Sequence, residues 1–320
     1  MTKVNELKIE NINFIRKYFY KEEILTKNQL HDLTGISLAA CTNALKELVD
    51  SKEIIQIDDA SSTGGRKSKQ YQLNPTYSYF LKLQVLKNKD SESVISSLCN
   101  LDGDDITRKE ITNEQVTSKD ILSVIKQYKK NQKIDCILIS VPGICENGYM
   151  SICDCKCIEG HQLIEEIHSI WKIDVIIEND VNTAVIGMHG IYPNIENMAL
   201  IYQPSKEYLG CGLIIHGQLY NGFQHRAGEL RYLPDYSEKE QSKIQKKDPK
   251  AFLLNRIKII EAVVSPEMIG WYSDFFDDEM ESDNDIQIKH MKSLKDLIDK
   301  GLYEIGIHHI LENGGNKYVR

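Results

Sequence analysis

The sequence contains no apolar run that approaches the roughly 18 residues of a membrane-spanning helix. Residues 1–10 mix charged with apolar residues and lack the continuous apolar stretch of a secretory signal. A collagen-like, mucin-like or coiled-coil composition is also absent. These absences argue against membrane and fibrous proteins, and we expect a cytoplasmic protein with no membrane partner.

Cysteine is too scarce for a disulfide scaffold, with 8 in 320 residues, and we expect reduced thiols. Cys153, Cys155 and Cys157 form the one cluster. If residues 149–158 are extended, these thiols project from one face, where they could hold zinc or copper or sense oxidation. The spacing differs from a Cys-x-x-Cys knuckle and favours small thiols packed in a core. We therefore expect no metal or other cofactor, and the cluster stays the only metal candidate.

The composition is that of a folded protein, with 41% hydrophobic and 27% charged residues, and the length suggests about two domains. Charge is unevenly spread. Residues 1–75 carry 11 Lys and Arg against 10 Asp and Glu, which leaves 28 against 37 for the remainder. Only the N-terminal part could tolerate a polyanion such as DNA.

The first 75 residues predict a winged helix-turn-helix domain. Residues 5–20 have the apolar spacing of a helix. Thr26 stands where an N-cap is expected, Gly35 ends a second short helix, and Ser37 begins a third. Two short strands, 54–57 and 71–73, follow and flank a loop rich in glycine and cations. Helix, glycine turn and helix is the pattern of a DNA-reading motif.

The third helix and the loop supply the candidate DNA contacts. Asn43 suits adenine, and Lys46 suits guanine or a phosphate. The loop glycines allow close approach of the backbone to DNA, and its cations suit phosphates. The alternative is a helical cap with a solvated loop. The DNA-binding candidates are Ser37, Thr42, Asn43, Lys46, Gly64, Gly65, Arg66 and Lys67.

Residues 76–320 predict an α/β domain, because apolar strand-like runs alternate with helix-like segments. The predicted strands are 79–86, 94–100, 136–141, 175–177, 199–202 and 212–216. The predicted helices are 118–130, 161–171, 181–188, 252–264, 266–276 and 294–311.

Several motifs in order resemble the ROK family of sugar kinases and sugar-responsive repressors. They are residues 37–48, Gly64-Gly65-Arg66, Val141-Pro142-Gly143, the run 178–184 (Glu-Asn-Asp-Val-Asn-Thr-Ala), the run 217–222 and Ala227-Gly228-Glu229. Their order and spacing are more specific than any one motif. The N-terminal extension is similar to the repressor branch. The resemblance implies a two-lobed, actin-like ATPase fold (sugar kinase-like) with a ligand cleft between the lobes.

The resemblance also implies roles for individual residues. In kinases of the family, the aspartate that matches Asp180 removes a proton from the sugar, and the residues that match Asn179 and Glu229 hold hydroxyls. The alternative for Asn179 and Asp180 is a helix cap. The expected effector-binding residues are Gly143, Asn179, Asp180, Glu229 and Tyr232.

The parts that phosphoryl transfer requires are missing from the sequence. The resemblance implies a phosphate loop near residues 83–90, but no glycine occurs there. The second loop, residues 205–212, keeps only two glycines, and residues 269–271 are at most a remnant of the adenosine segment. The family's zinc-binding histidine is replaced by Tyr232, and its cysteine loop is absent. We therefore expect no kinase activity, with Asp180 as a relic of the base.

We interpret the sequence as a transcriptional regulator, expected to be a repressor, that binds double-stranded operator DNA and a small carbohydrate-like effector. A homodimer or a dimer of dimers would match a palindromic operator. Two alternatives stay open: a sugar kinase that uses Asp180 as its base, and a protein-interaction module without specific DNA binding.

Overall fold

The computed structural model describes residues 3–20, 24–57, 68–130, 133–206, 208–278, 280 and 286–313. The chain divides into two compact units. Unit 1 comprises Met1–Tyr79, Cys99–Asp104 and Gly306–Arg320, and unit 2 comprises Phe80–Leu98 and Asp105–Ile305. No helix within the described residues combines the length and apolarity needed to cross a membrane.

Unit 1 begins with three helices: α1 (Lys3–Phe19), α2 (Lys27–Thr34) and α3 (Leu38–Asp50). Thr26 and Gln29 form a capping box at the start of α2. Gly35 adopts the left-handed conformation (φ 69°) that ends this helix, which glycine tolerates without strain. The Ser37 hydroxyl then accepts a hydrogen bond from Ala40 N and caps α3. All three helices predicted from the sequence are confirmed.

A three-stranded antiparallel sheet completes the first part of unit 1. Its strands β1 (Leu25–Thr26), β2 (Ile54–Ile57) and β3 (Gln70–Leu73) lie in the order β1-β3-β2. The loop between β2 and β3 falls mostly outside the described residues, and with it Gly64, Gly65, Arg66 and Lys67. The hydrophobic core of this part consists of Ile12, Ile15, Phe19, Leu25, Leu30, Cys41, Ala44, Leu45, Leu48 and Ile54.

Unit 2 contains two five-stranded sheets. The first has the order β10-β7-β4-β5-β6, and β4, β7 and β10 run parallel. Its strands are β4 (Phe80–Lys87), β5 (Glu92–Cys99), β6 (Asp105–Asn113), β7 (Cys136–Val141) and β10 (Asp174–Asn179). Two helices, α4 (Ser118–Lys129) and α5 (Leu163–Trp171), and a hairpin of β8 (Gly143–Glu146) and β9 (Tyr149–Cys153) belong to this half.

The second sheet has the order β13-β12-β11-β14-β15. Its strands are β11 (Met198–Gln203), β12 (Gly210–Ile215), β13 (Gln218–Leu219), β14 (Met268–Ser273) and β15 (Gln287–His290). The helices that complete the chain are α6 (Asp180–Ile191), α7 (Glu238–Lys247), α8 (Pro249–Val264) and α9 (Leu294–Asn313). Helix α6 follows β10 of the first sheet and packs on β11 and β12 of the second.

One predicted helix is wrong. Residues 266–276 contain the strand β14, which pairs in parallel with β11 at the centre of the second sheet. Met268, Ile269 and Trp271 are buried. A short run that is apolar on both faces has no distinguishing period, so its pattern does not separate a buried strand from a helix. Strand β6 and the hairpin β8-β9 had no counterpart among the predicted elements.

Candidate functional site

A cavity of about 660 Å³ opens in unit 2 where β4, β7 and β10 reach their carboxyl ends. Open α/β sheets commonly bind ligands at this edge. The volume lies within the usual range for small-molecule pockets. Gly143, Asn179, Asp180 and Glu229 all line it, whereas Tyr232 does not. The fold therefore brings together four of the five residues proposed from the sequence to bind the effector.

Asn179 is the N-cap of α6. Its Oδ1 accepts hydrogen bonds from Val181 N (2.9 Å) and Asn182 N (3.1 Å), and its Nδ2 donates to the Gly143 carbonyl (3.1 Å). An amide oxygen has two lone pairs and an amide nitrogen has two protons. The helix cap uses both lone pairs of Oδ1, and the bond to Gly143 uses one of the two Nδ2 protons. One N–H of Asn179 is therefore left for a ligand.

Asp180 is the first residue of α6, and its Oδ1 accepts from Val181 N at 2.9 Å. Burial raises the pKa of Asp180 to about 7, and the nearby carboxylates of Asp154 and Glu229 add to the shift. At neutral pH the carboxyl group exchanges between its protonated and ionised forms. It can donate a hydrogen bond to a ligand hydroxyl in the first form and accept one in the second.

Gly228 lets the backbone that precedes Glu229 pass close to Cys211. Its φ is +82°, and a Cβ at this residue would lie 1.7 Å from the carbonyl oxygen of Cys211. The neighbouring Glu229 carboxylate lies 3.1 Å from the Nε of Arg231. The Arg231 guanidinium also packs over the ring of Tyr232, which is itself largely exposed. Tyr232 therefore does not line the cavity, although it contacts Arg231, which does.

Asp274, the first residue after β14, closes the loop that follows β11. The Asp274 carboxylate accepts hydrogen bonds from Ser205 N (2.9 Å) and from the Tyr202 hydroxyl (3.3 Å). Burial and the Asp274 charge raise the pKa of Tyr202, which keeps this hydroxyl protonated as a donor. A backbone N–H that could hold a phosphate in this loop is therefore already paired.

The cysteine cluster does not share one face. Strand β9 ends at Cys153, and the chain turns through residues 154–160. Cys153 and Cys155 are buried, whereas the partly buried Cys157 donates to Gln115 Oε1 at 3.2 Å. A hydrogen bond to Cys153 and burial raise the pKa of Cys155. In the part of the chain that the structure describes, no three His, Cys, Asp or Glu side chains are placed to hold a metal ion.

A second candidate surface lies on α3 of unit 1. Thr42, Asn43 and Lys46 are exposed on one face, opposite the buried Cys41 and the core that it joins. The Thr42 hydroxyl donates to the Leu38 carbonyl at 2.7 Å. Within the described residues, the Asn43 amide and the Lys46 ammonium have no hydrogen-bond or ion-pair partner, so both groups are available to an external acceptor or donor.

Sequence comparison gives relatives of one kind. No protein-family model matches the chain. It is 23% identical to a xylose repressor from Staphylococcus xylosus over 229 residues, which are 69% of this chain and 59% of the relative. It is 21% identical to a xylose repressor from Bacillus subtilis (strain 168) over 236 residues, 70% of this chain and 60% of the relative. The chain thus spans about three fifths of the length of these curated relatives.

Structure comparison shows that ROK family proteins share this fold. A ROK family transcriptional regulator, described as a homologue of the E. coli MLC protein, superposes with a TM-score of 0.66 at 15% identity and covers 96% of this chain and 99% of its own. A ROK family protein from Streptococcus pneumoniae TIGR4, solved in complex with sucrose, gives a TM-score of 0.55 at 17% identity over 72% of this chain and 98% of its own. Together, these comparisons confirm the resemblance to the transcriptional-regulator branch of the ROK family that the ordered sequence motifs indicated.

Proposed function

We propose that the protein is a transcriptional repressor of the cytoplasm whose N-terminal part is a winged helix-turn-helix that binds operator DNA. The observation that carries this proposal is the exposed polar face of α3, with Asn43 and Lys46 presented after the Gly35 turn. A helix with this kind of face suits the major groove, where amide and ammonium groups read base edges and phosphates. The repressor names of the sequence relatives support the same function.

The cavity of unit 2 is the proposed effector site, and the effector is a small carbohydrate-like molecule. Asn179 offers one N–H, Asp180 offers a carboxyl group that is neutral or charged near pH 7, and Glu229 offers acceptor oxygens. Polyols present alternating donors and acceptors that suit such a set. The effector acts on DNA binding by favouring one of two protein states, which requires a difference in its affinity for them.

The proposal excludes kinase activity. Phosphoryl transfer needs backbone donors and positioning groups around the transferred phosphate. The turn after β4 has no glycine, and Asp274 occupies the Ser205 N–H in the other loop. A coupled assay with ATP and a sugar panel is expected to give no turnover. Sugar-dependent turnover that disappears in Asp180→Ala would instead establish the enzyme.

The DNA interface is tested by selecting bound sequences from a random duplex library with the full-length protein. We expect a palindromic site whose half-sites lie about 34 Å apart, as paired reading helices of a homodimer require. On the selected duplex, Asn43→Ala should weaken binding about 5-fold to 150-fold, the loss typical of one base contact. Lys46→Ala should weaken binding. It should also reduce the slope of log K against log[salt] by about one unit, the value for one phosphate contact.

The matched control is Lys119→Ala, which removes an exposed lysine from α4 of unit 2 and should leave DNA binding unchanged. Failure to select any sequence at moderate salt would contradict the proposal. Binding that is insensitive to salt would also contradict it, because phosphate contacts release counterions. Both results would favour a protein-interaction module.

A further inference from the structure

The first turn of α3 exposes apolar side chains. Leu38 is 42% exposed, and the Ala39 side chain next to it is also exposed. Thr42 follows four residues after Leu38, so it lies on the same face of the helix one turn later. Single exposed apolar residues are common on protein surfaces, but these three lie side by side. Leu38, Ala39 and Thr42 therefore form an apolar patch at the start of the proposed reading helix.

The Thr42 side chain belongs to this apolar patch because its proton is used within the helix. Its hydroxyl group donates to the Leu38 carbonyl at 2.7 Å. A hydroxyl group has one proton, so Thr42 cannot donate a second hydrogen bond to a base edge while it keeps this one. What Thr42 offers to a partner is its methyl group and an acceptor oxygen. The apolar patch therefore presents hydrocarbon and no side-chain donor.

The apolar patch is continuous with the polar part of the same helix face. An α-helix rises 1.5 Å per residue, so about 6–8 Å along the axis separate Leu38 and Ala39 from Asn43. Lys46 lies almost one turn further along. In a helix-turn-helix, the N-terminal residues of the reading helix are the ones that contact base edges in the major groove. The apolar patch therefore occupies the positions that meet bases when Asn43 and Lys46 contact DNA.

The ends of the two helices favour DNA over a protein as the partner of this patch. Neither α2 nor α3, both described in full, carries an Asp or Glu in its first turn. A helix start has a partial positive charge, which an acidic side chain in the first turn ordinarily balances. Two unbalanced helix starts suit a negatively charged partner. The apolar patch thus lies at a helix start that attracts phosphates.

We propose that Leu38, Ala39 and Thr42 read the C5-methyl group of a thymine in each operator half-site. Among the four bases of DNA, thymine alone presents a methyl group in the major groove, and alanine and the threonine methyl group are side chains that contact it. The axial distance of about 6–8 Å to Asn43 places this thymine about two base pairs from the base at Asn43. The inference rests on the proposed function, because it specifies which base the same helix reads.

The test measures binding of the full-length protein to the duplex selected from the random library and to duplexes in which deoxyuridine replaces thymidine at one position at a time. Deoxyuridine keeps the base pairing and the O4 acceptor and lacks only the methyl group. We expect one position in each half-site at which this replacement weakens binding about fourfold, the loss for one buried methyl group. Other thymidines should tolerate the replacement within about twofold.

Two variants assign the effect to the apolar patch. Leu38→Ala shortens the exposed side chain, and Thr42→Ser removes one methyl group while it keeps the hydroxyl group that bonds to the Leu38 carbonyl. At least one of them should weaken binding of the thymidine duplex about threefold or more and reduce the deoxyuridine effect to less than twofold. Simple loss of helix stability would weaken binding to both duplexes equally and leave the deoxyuridine effect unchanged.

The matched control is Leu7→Ala, because Leu7 is exposed on α1, which packs against the buried face of α3. It should leave the deoxyuridine effect at its wild-type size. Equal affinity for thymidine and deoxyuridine at every position would overturn this inference and leave the proposed function intact. A deoxyuridine effect that persists unchanged in both Leu38→Ala and Thr42→Ser would also overturn it. Failure to select any duplex would overturn the inference and the proposed function together, so the two failures are distinguishable.

Discussion

Glu53→Ala is expected to unfold the N-terminal helices far more readily than any substitution on their surface. Arg16 and Glu53 are 2% and 1% exposed and form a two-point ion pair, with Nε to Oε1 at 2.6 Å and Nη2 to Oε2 at 3.1 Å. The pair joins α1 to the segment between α3 and β2. Glu53→Ala removes the carboxylate that two guanidinium nitrogens of Arg16 contact, and breaking a buried pair of this kind costs about 3–5 kcal/mol.

Amide hydrogen exchange of α1 and α3 measures this effect. A loss of about 3–5 kcal/mol corresponds to exchange faster by two to nearly four powers of ten where the amides exchange through unfolding of these helices. DNA binding should fall in parallel. The matched control is Glu47→Ala, which breaks the exposed pair with Lys8 and should cost at most about 1 kcal/mol.

The double variant Arg16→Met with Glu53→Leu separates charge from packing. Apolar residues of similar size often replace a buried ion pair without loss of stability. We expect the double variant to recover most of the protection that Glu53→Ala loses. Equal exchange rates in Glu53→Ala and Glu47→Ala would contradict the inference that the buried pair stabilises the packing of α1 on the segment between α3 and β2.

Local chemistry made the N-terminal helices predictable. The hydroxyl groups of Thr26 and Ser37 accept hydrogen bonds from backbone N–H groups at the helix starts. Gly35 adopts a left-handed conformation at a helix end. Each role depends on one residue and its neighbours along the chain, so the sequence alone was sufficient. The loop with Gly64, Gly65, Arg66 and Lys67 lies outside the described residues, and its contact with DNA stays a prediction.

Strand β14 of the second sheet was not predictable in this way. Met268, Ile269 and Trp271 become a strand because β11 and β15 flank them, and both partners are distant or inconspicuous in sequence. Strand β6 is mostly exposed, so it carries no apolar pattern that would reveal it. Whether such segments form strands depends on pairing with distant strands, and the pattern of a single sequence contains little information about that pairing.

Some residues of the candidate site were also predictable from the sequence, and others were not. Asn179, Asp180 and Glu229 were found through ordered motifs, whereas Arg231, Asp274 and the lysines of the cavity were missed. Lys87-Asn88-Lys89 stands where a glycine-rich turn was expected, and the presence of cations there was the available signal. Lys206 and Lys292 line the same cavity as this turn, and only the fold brings these distant segments together.

Asp180→Asn is expected to stabilise the protein in a pH-dependent manner. The pKa of Asp180 is raised from 3.8 to about 7 by burial first and by Asp154 and Glu229 next. The native state therefore binds a proton that the unfolded state has released, and the contribution of this group to stability falls as pH rises from about 4 to 7. Asparagine keeps the acceptor for Val181 N and removes the titration.

Urea unfolding of wild type and Asp180→Asn from pH 4 to pH 8 measures the difference. At pH 8 the variant should be more stable by about 2–4 kcal/mol, which corresponds to the pKa shift with allowance for partial solvation. At pH 4 the two proteins should differ little. Asp154→Asn, which removes a neighbouring charge, should move the pH dependence of the wild-type Asp180 to lower pH.

A carboxylate that destabilises its own fold at neutral pH requires a reason to be in the cavity. Binding sites commonly sacrifice stability for interactions that only the ligand completes. Asp180→Asn should therefore lose effector affinity while it gains stability, and the two changes should have opposite signs in the same variant. If Asp180→Asn were no more stable than wild type at pH 8, the carboxyl group would be an ordinary helix-start residue, and its role in ligand binding would lose its physical basis.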